Sequence, residues 1–148
     1  VDTSVVRAAL ATQIEAKTGL TVYPNIQADV TPPVAVIVPG NPYVKFGQTL
    51  GGAALQLDGT PYAASNLILS VLILISEAQG FYEFQEDLDQ YLGFENTQLS
   101  VPFAIAEDPT LGGAVEWAVP ISVTNVQPVE YANVSYFGAR VNVDISLL

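Results

Sequence analysis

Two stretches carry the side chains with the best claim to chemistry. One is "AEDPTLGGAV", where Asp108 and Pro109 lead into the pair Gly112-Gly113; the other is "YEFQEDLDQ", with Glu83, Glu86, Asp87 and Asp89. A glycine loop cradles phosphate when it feeds a helix N-terminus and is followed at once by Lys and Ser or Thr. Here the order is reversed. Asp108 suits an N-cap and Pro109 a first-turn position, the glycines stop the turn, a strand follows, and no lysine occurs after Lys45. Asp108, Pro109, Gly112 and Gly113 are therefore expected to form a structural corner. The four carboxylates recur at helical spacing, whereas a calcium loop alternates its oxygen ligands along an irregular turn with a central glycine. A general acid–base pair needs surroundings that drive two pKa values apart, and spacing alone supplies none. The acidic cluster reads as one face of an amphipathic helix.

The chain contains no cysteine and no histidine. That excludes disulfides, thiolate nucleophiles, Cys- or His-built zinc sites and imidazole-based triads. The expectation is a protein that is not an enzyme, with no catalytic, cofactor-binding or metal-binding residues. The net charge is −11, and the four basic residues are Arg7, Lys17, Lys45 and Arg140. Tight nucleic-acid binding neutralises phosphates with many cations, so specific DNA binding is not expected. No basic segment followed by an apolar run opens the sequence, and no signal peptide is expected. The most apolar run, "NLILSVLILIS", is about half the roughly 20 residues needed to span a bilayer, so the chain is expected to be soluble, without a membrane partner.

These residues need a scaffold, and 148 residues suffice for one domain, 1–148. "VDTSVVRAALATQIEAKTG" predicts a helix with Val6, Leu10, Gln13, Ile14 and Lys17 recurring, Asp2 or Ser4 as N-cap and Gly19 as stop. "LTVYP" reads as a short strand and "VAVIVPG" as a strand covered on both faces. "NLILSVLILIS" is apolar on both faces and belongs in the middle of a sheet. "AQGFYEFQEDLDQYLG" predicts a second helix with the stripe Phe81, Phe84, Leu88, Tyr91 and Leu92. "SVPFAIAED" predicts a helical turn capped by Ser100. In "EWAVPISVTNV", Trp117, Val119, Ile121 and Val123 alternate with Glu116, Ser122 and Thr124. Pro120 falls on the polar side and marks an edge or a bulge. "FGARVNVDIS" pairs with it antiparallel. The fold class is α+β, a mixed, mainly antiparallel β-sheet with helices packed on it.

Two features point to an assembly. Half of the residues are hydrophobic and only 13% are charged, against about a quarter in an ordinary domain, which leaves few charges to coat a free surface. In addition, "YVKFGQTL" and "AALQLDG" flank Gly51-Gly52, so 41–65 reads as a projecting hairpin or loop. It is either a surface loop or an arm docked on another subunit, with Tyr43, Lys45, Phe46, Leu50, Leu55 and Leu57 as interface residues. Tyr23, Tyr43, Tyr62, Tyr131 and Tyr136 lie near turns, as half-buried loop residues or as interface anchors.

The order of these pieces resembles the tail terminator (tail-to-head joining) proteins of long-tailed bacteriophages. The resemblance runs through "VRAALATQI", "GLTVYP", "TPPVAVIVP", the long apolar strand, "DLDQYL", "AEDPTLGGAV" and "YFGARVNVDI". It covers nearly the whole chain, and "DPTLGGAV" is its most specific element. A departure lies at Phe46 to Ala64, a segment that is shorter and more charged in such relatives. The resemblance implies a hexameric ring that caps the tail tube, ends its polymerisation and joins it to the head-closure or neck connector. The implied partners are further copies of the chain, the tail tube protein and the neck connector, with genomic DNA passing through the ring without specific binding. The implied location is the virion, at the tail–head junction, after assembly in the host cytoplasm. Glu83, Glu86, Asp87 and Asp89 are then candidates to line the channel. The alternatives are another neck or head-closure ring protein or, in a different class, a carboxylate-based hydrolase or ligand-binding domain.

Overall fold

The computed structural model describes residues 2–46, 64–77, 81–93 and 98–147. Along the chain they form α1 (Thr3–Thr18), β1 (Thr21–Tyr23), β2 (Val34–Phe46), β3 (Ala64–Glu77), α2 (Phe81–Leu92), α3 (Val101–Glu107), β4 (Trp117–Tyr131) and β5 (Val134–Ser146). The five strands make one sheet in the order β1-β2-β3-β5-β4. Only β1 and β2 run parallel; the other neighbours are antiparallel. The fold is α+β, with a mixed and mainly antiparallel sheet.

The helix ends follow from local chemistry. The Asp2 carboxylate accepts the Ser4 backbone N–H at 2.9 Å, satisfying one of the donors that the first turn leaves free. Gly19 stops α1 at φ 74°, the left-handed conformation in which a Cβ is strained. The Ser100 hydroxyl accepts the Phe103 N–H at 3.1 Å and caps α3, whose first turn holds Pro102. The α1 stripe is buried through Val6, Leu10 and Ile14, while Gln13 and Lys17 face α3. Gln13 donates to the Ala104 carbonyl at 3.0 Å, and Lys17 meets Glu107 at 2.9 Å.

The central strand β3 is apolar on both sides because both sides are covered. Leu67, Leu69, Val71, Ile73 and Ile75 join Ala35, Ile37 and alternate residues of β5 under the three helices. Leu72 and Leu74 join Val34, Val36, Val38 and Tyr136 on the second face, closed over by Tyr23, Val30, Val129, Tyr131 and Val134. Each fully buried aliphatic side chain contributes about 1.5–3 kcal/mol. Truncating one such as Ile73 or Leu69 to Ala costs about 2–5 kcal/mol. From α2, Leu88 and Leu92 are buried and Tyr91 is half-buried; the Phe81 and Phe84 side chains lie outside the described residues.

One sequence expectation needs correction. The alternation in β4 does not run unbroken, because the ladder with β5 shifts register between Pro120 and Ser122 and again between Thr124 and Gln127. A bulge resets the side to which later residues point. Before it, Val119 pairs with Asp144 and lies on the side away from the helices. After it, Val123 pairs with Val141 and lies on the helix side. Pro120 pairs with Val143 and so belongs to the helix side rather than the polar one. The edge and the bulge are both present at Pro120. At the base of the expected hairpin or loop at 41–65, residues 41–46 extend β2: after a shift between Pro39 and Val44, the strand stays paired with β3 as far as Phe46 opposite Ala64. Leu50, Leu55, Leu57 and the Gly51-Gly52 turn lie outside the described residues.

Candidate functional site

Among the described residues, the second face of the sheet is only half covered. Beyond the apolar cluster it opens into a groove of about 680 Å³ floored by β3 and β5. One wall is the irregular part of β2, Asn41, Pro42 and Lys45; the other is the bulged part of β4, Ile121 to Asn125. Gly40 makes the first wall possible. A Cβ there would stand 2.6 Å from the Ile68 side chain and 2.7 Å from its carbonyl oxygen, so only glycine lets β2 swing this close to Ile68.

A directed chain of hydrogen bonds crosses the floor. The buried Ser70 hydroxyl donates to Asn142 Oδ1 at 2.8 Å. The Asn142 amide then donates to Ser122 Oγ and to Thr124 Oγ1, each at 3.0 Å. Ser122 and Thr124 act as acceptors in these bonds and keep their own O–H groups as donors. Arg140 stands beside them, directly across the ladder from Thr124. A little further along, Asn66 donates to Asp144 at 2.7 Å. The groove is thus lined by amides and hydroxyls, which both donate and accept, around the Arg140 guanidinium, which only donates. Two of the four cations in the chain, Lys45 and Arg140, border it.

Next to the groove, the outer strand β4 is apolar and open to solvent. Val119, Ile121, Val123 and Val126 are 44%, 52%, 36% and 44% exposed. No charged residue occurs from Trp117 to Val129. Edge strands on monomers are usually protected by charges, prolines or bulges. Here Pro120, Pro128 and two bulges break backbone pairing, but nothing among the described residues shields the side chains.

The chain matches no protein-family model and no curated protein sequence.

Glu86 and Asp87 are exposed on α2 and Asp89 is half-buried; the Glu83 side chain is outside the described residues. Burial, and then the Asp87 carboxylate, push the Tyr91 phenol above its ordinary pKa. Among the described residues, no three acidic side chains gather as a metal would require. Asp108 follows α3 and organises the next turn: its carboxylate accepts the Thr110 hydroxyl and the Gly112 N–H, both at 2.9 Å. Those two bonds, the Thr110 hydroxyl foremost, hold its pKa below the usual carboxylate value. Leu111, Gly112 and Gly113 all take positive φ, so the segment is a turn and forms no helix. The Pro109 carbonyl accepts the Ala118 N–H at 2.7 Å, tying this turn to the start of β4.

Tyr43 is exposed and takes a long contact of 3.5 Å from Arg7, while the Lys45 side chain is exposed on the groove wall. Phe46 ends β2, with its side chain outside the described residues. Tyr136 is buried in the second apolar cluster. Tyr131 exchanges two hydrogen bonds with the Gln27 backbone, pinning the hairpin end onto the loop after β1. Tyr62 lies outside the described residues. Sequence reading missed the groove. Ser70, Asn142 and Thr124 are 18 to 72 positions apart, and only strand register joins them. The available signal was polar residues at alternate positions of "FGARVNVDIS".

Proposed function

We propose that this chain is a ring-forming structural protein of a long-tailed phage, acting as the tail terminator that caps the tube and joins it to the neck. The observation that carries the reading is the uncovered apolar strand β4: Val119, Ile121, Val123 and Val126 stand open on an edge with no charge across thirteen residues. A patch of that kind marks a surface made to be covered by protein. The ordered resemblance to tail terminators supplies the identity of the assembly. The acidity fits the role, because a channel poor in cations does not retain DNA by releasing its counterions. On this reading the chain performs no catalysis and uses no cofactor. Its partners are copies of itself, the tube protein and the neck connector.

The reading is tested by adding the purified chain to polymerising tail tube protein. Tubes that stop growing and carry the chain at one end only are expected. Unaltered tube growth, with the chain bound nowhere along the tube, contradicts the terminator role. Hydrolysis of a glycan, peptide or ester, lost on replacing a single carboxylate, would place the chain in the enzymatic class instead.

A further inference from the structure

We infer that the small apolar pocket between α1 and the irregular part of β2 binds a monocarboxylate with a compact apolar body, about the size of benzoate, and that Arg7 holds the carboxylate. The pocket lies on the helix side of the sheet, on the face opposite the groove, and binding there is independent of ring assembly.

The pocket holds about 180 Å³. Its walls are Ile37 and Leu69 from the main core, Pro39, which sits opposite Leu69 in the ladder, and Ile26 from the loop after β1. An apolar cavity of about 150 Å³ holds benzene, so the space suits one ring or a short branched chain. Ile26 is 65% exposed and forms an apolar lip that the body of a ligand would cover.

The polar rim is built around a cation. Arg7 Nε donates to Asn25 Oδ1 at 3.1 Å, and Nη1 makes long contacts of 3.4 and 3.5 Å to Thr3 Oγ1 and Tyr43 Oη. These bonds fix the plane of the guanidinium and leave Nη2 with no partner among the described residues. Asn25 and Tyr43 accept from Arg7 and keep an NH2 and an O–H of their own to donate. Arg7 forms no ion pair among the described residues. Asp2, whose carboxylate feels the Arg7 charge, is spent on the Ser4 N–H and hydroxyl. A guanidinium accepts nothing, and its paired N–H groups match the two oxygens of a carboxylate. The apolar walls then select what the carboxylate is attached to: a neutral ligand forgoes the guanidinium, and inorganic phosphate forgoes the pocket.

The test titrates sodium benzoate into the isotope-labelled full chain and follows the backbone amide NMR shifts. Benzyl alcohol supplies the same body without the charge, and acetate the charge without the body. The variants are R7Q, I26E at the exposed lip and, as a control, R140Q in the groove; circular dichroism and thermal melting check that each folds. Ile26 lies on an exposed loop, so I26E reads the site even where R7Q disturbs α1. The expected result is saturable shifts around Ile37, Leu69 and Tyr43, with a dissociation constant of about 1 mM or tighter. Binding is expected to weaken about tenfold or more in R7Q, in I26E and for either control ligand, and to be unchanged in R140Q. Benzoate that gives no saturable shift up to about 10 mM, equal binding of all three probes, or R7Q and I26E that bind benzoate like the wild type, overturns the site. So does binding lost in R140Q and retained in R7Q, which puts the benzoate in the groove instead.

Discussion

Removing the Asn142 side chain tests the hydrogen-bond chain on the groove floor, because its two ends differ sharply in exposure. Ser70 is 1% exposed, so in Asn142→Ala its hydroxyl stays buried without a partner, at a cost of about 1–3 kcal/mol. The bonds to the exposed Ser122 and Thr124 are replaced by water and add about 0.5 kcal/mol each at most. The expected loss is about 2–3 kcal/mol. Ser70→Ala removes the buried hydroxyl and leaves Asn142 Oδ1 at the groove, where water reaches it, so its cost is about 1 kcal/mol or less. The double variant then has no stranded hydroxyl. It is expected to be no less stable than Asn142→Ala alone, a coupling of about 1 kcal/mol. The assay is urea unfolding followed by tryptophan fluorescence and circular dichroism, at a protein concentration low enough to keep self-association from adding to stability. Equal costs for the two single variants, or strict additivity in the double, would refute the reasoning.

Three other outcomes follow from separate features. Gly138→Ala places a Cβ 2.3 Å from the Ile73 carbonyl oxygen between two central strands, and is expected to cost about 1–3 kcal/mol or more in urea unfolding; a stability unchanged within error contradicts that packing. Ile121→Lys, on exposed β4, is expected to leave monomer stability within about 0.5 kcal/mol while reducing assembly, read by melting and sedimentation together; unimpaired assembly argues that β4 is not covered. Asp108 has its pKa lowered in the folded chain by the Thr110 and Gly112 bonds, so the stability it contributes is present above the unfolded carboxylate pKa and is lost as pH falls through the folded one. Asp108→Asn is expected to flatten the acid limb of a stability–pH curve while leaving the slope of the neutral region unchanged; an acid limb of unchanged slope shows that Asp108 does not contribute.

Much of the scaffold is legible in the sequence because local chemistry dictates it. The Asp2 and Ser100 caps, the Gly19 stop, the two-sided apolarity of β3 and the edge at Pro120 all act within a few residues of themselves. The sense of alternation in β4 is not legible, since a bulge shifts every later residue to the opposite face and leaves no trace in a pattern of polar and apolar letters. The extension of β2 through 41–46 was hidden for a similar reason: Asn41 and Pro42 read as a strand end, yet Val44 and Lys45 find partners in β3 after the shift. The groove was least visible of all. Its donors come from β3, β4 and β5, and only the register that sets Ser70 opposite Asn142, and Arg140 opposite Thr124, brings them together.

The most direct test of the central claim is the mass of the assembled state. Native mass spectrometry of the full chain, alone and after capture on tail tubes, is paired with electron microscopy of the same samples. A closed species of six copies with a central channel, free or at tube ends, is the predicted result. A monomer or a twofold dimer under every condition, with tube ends bare, would contradict it.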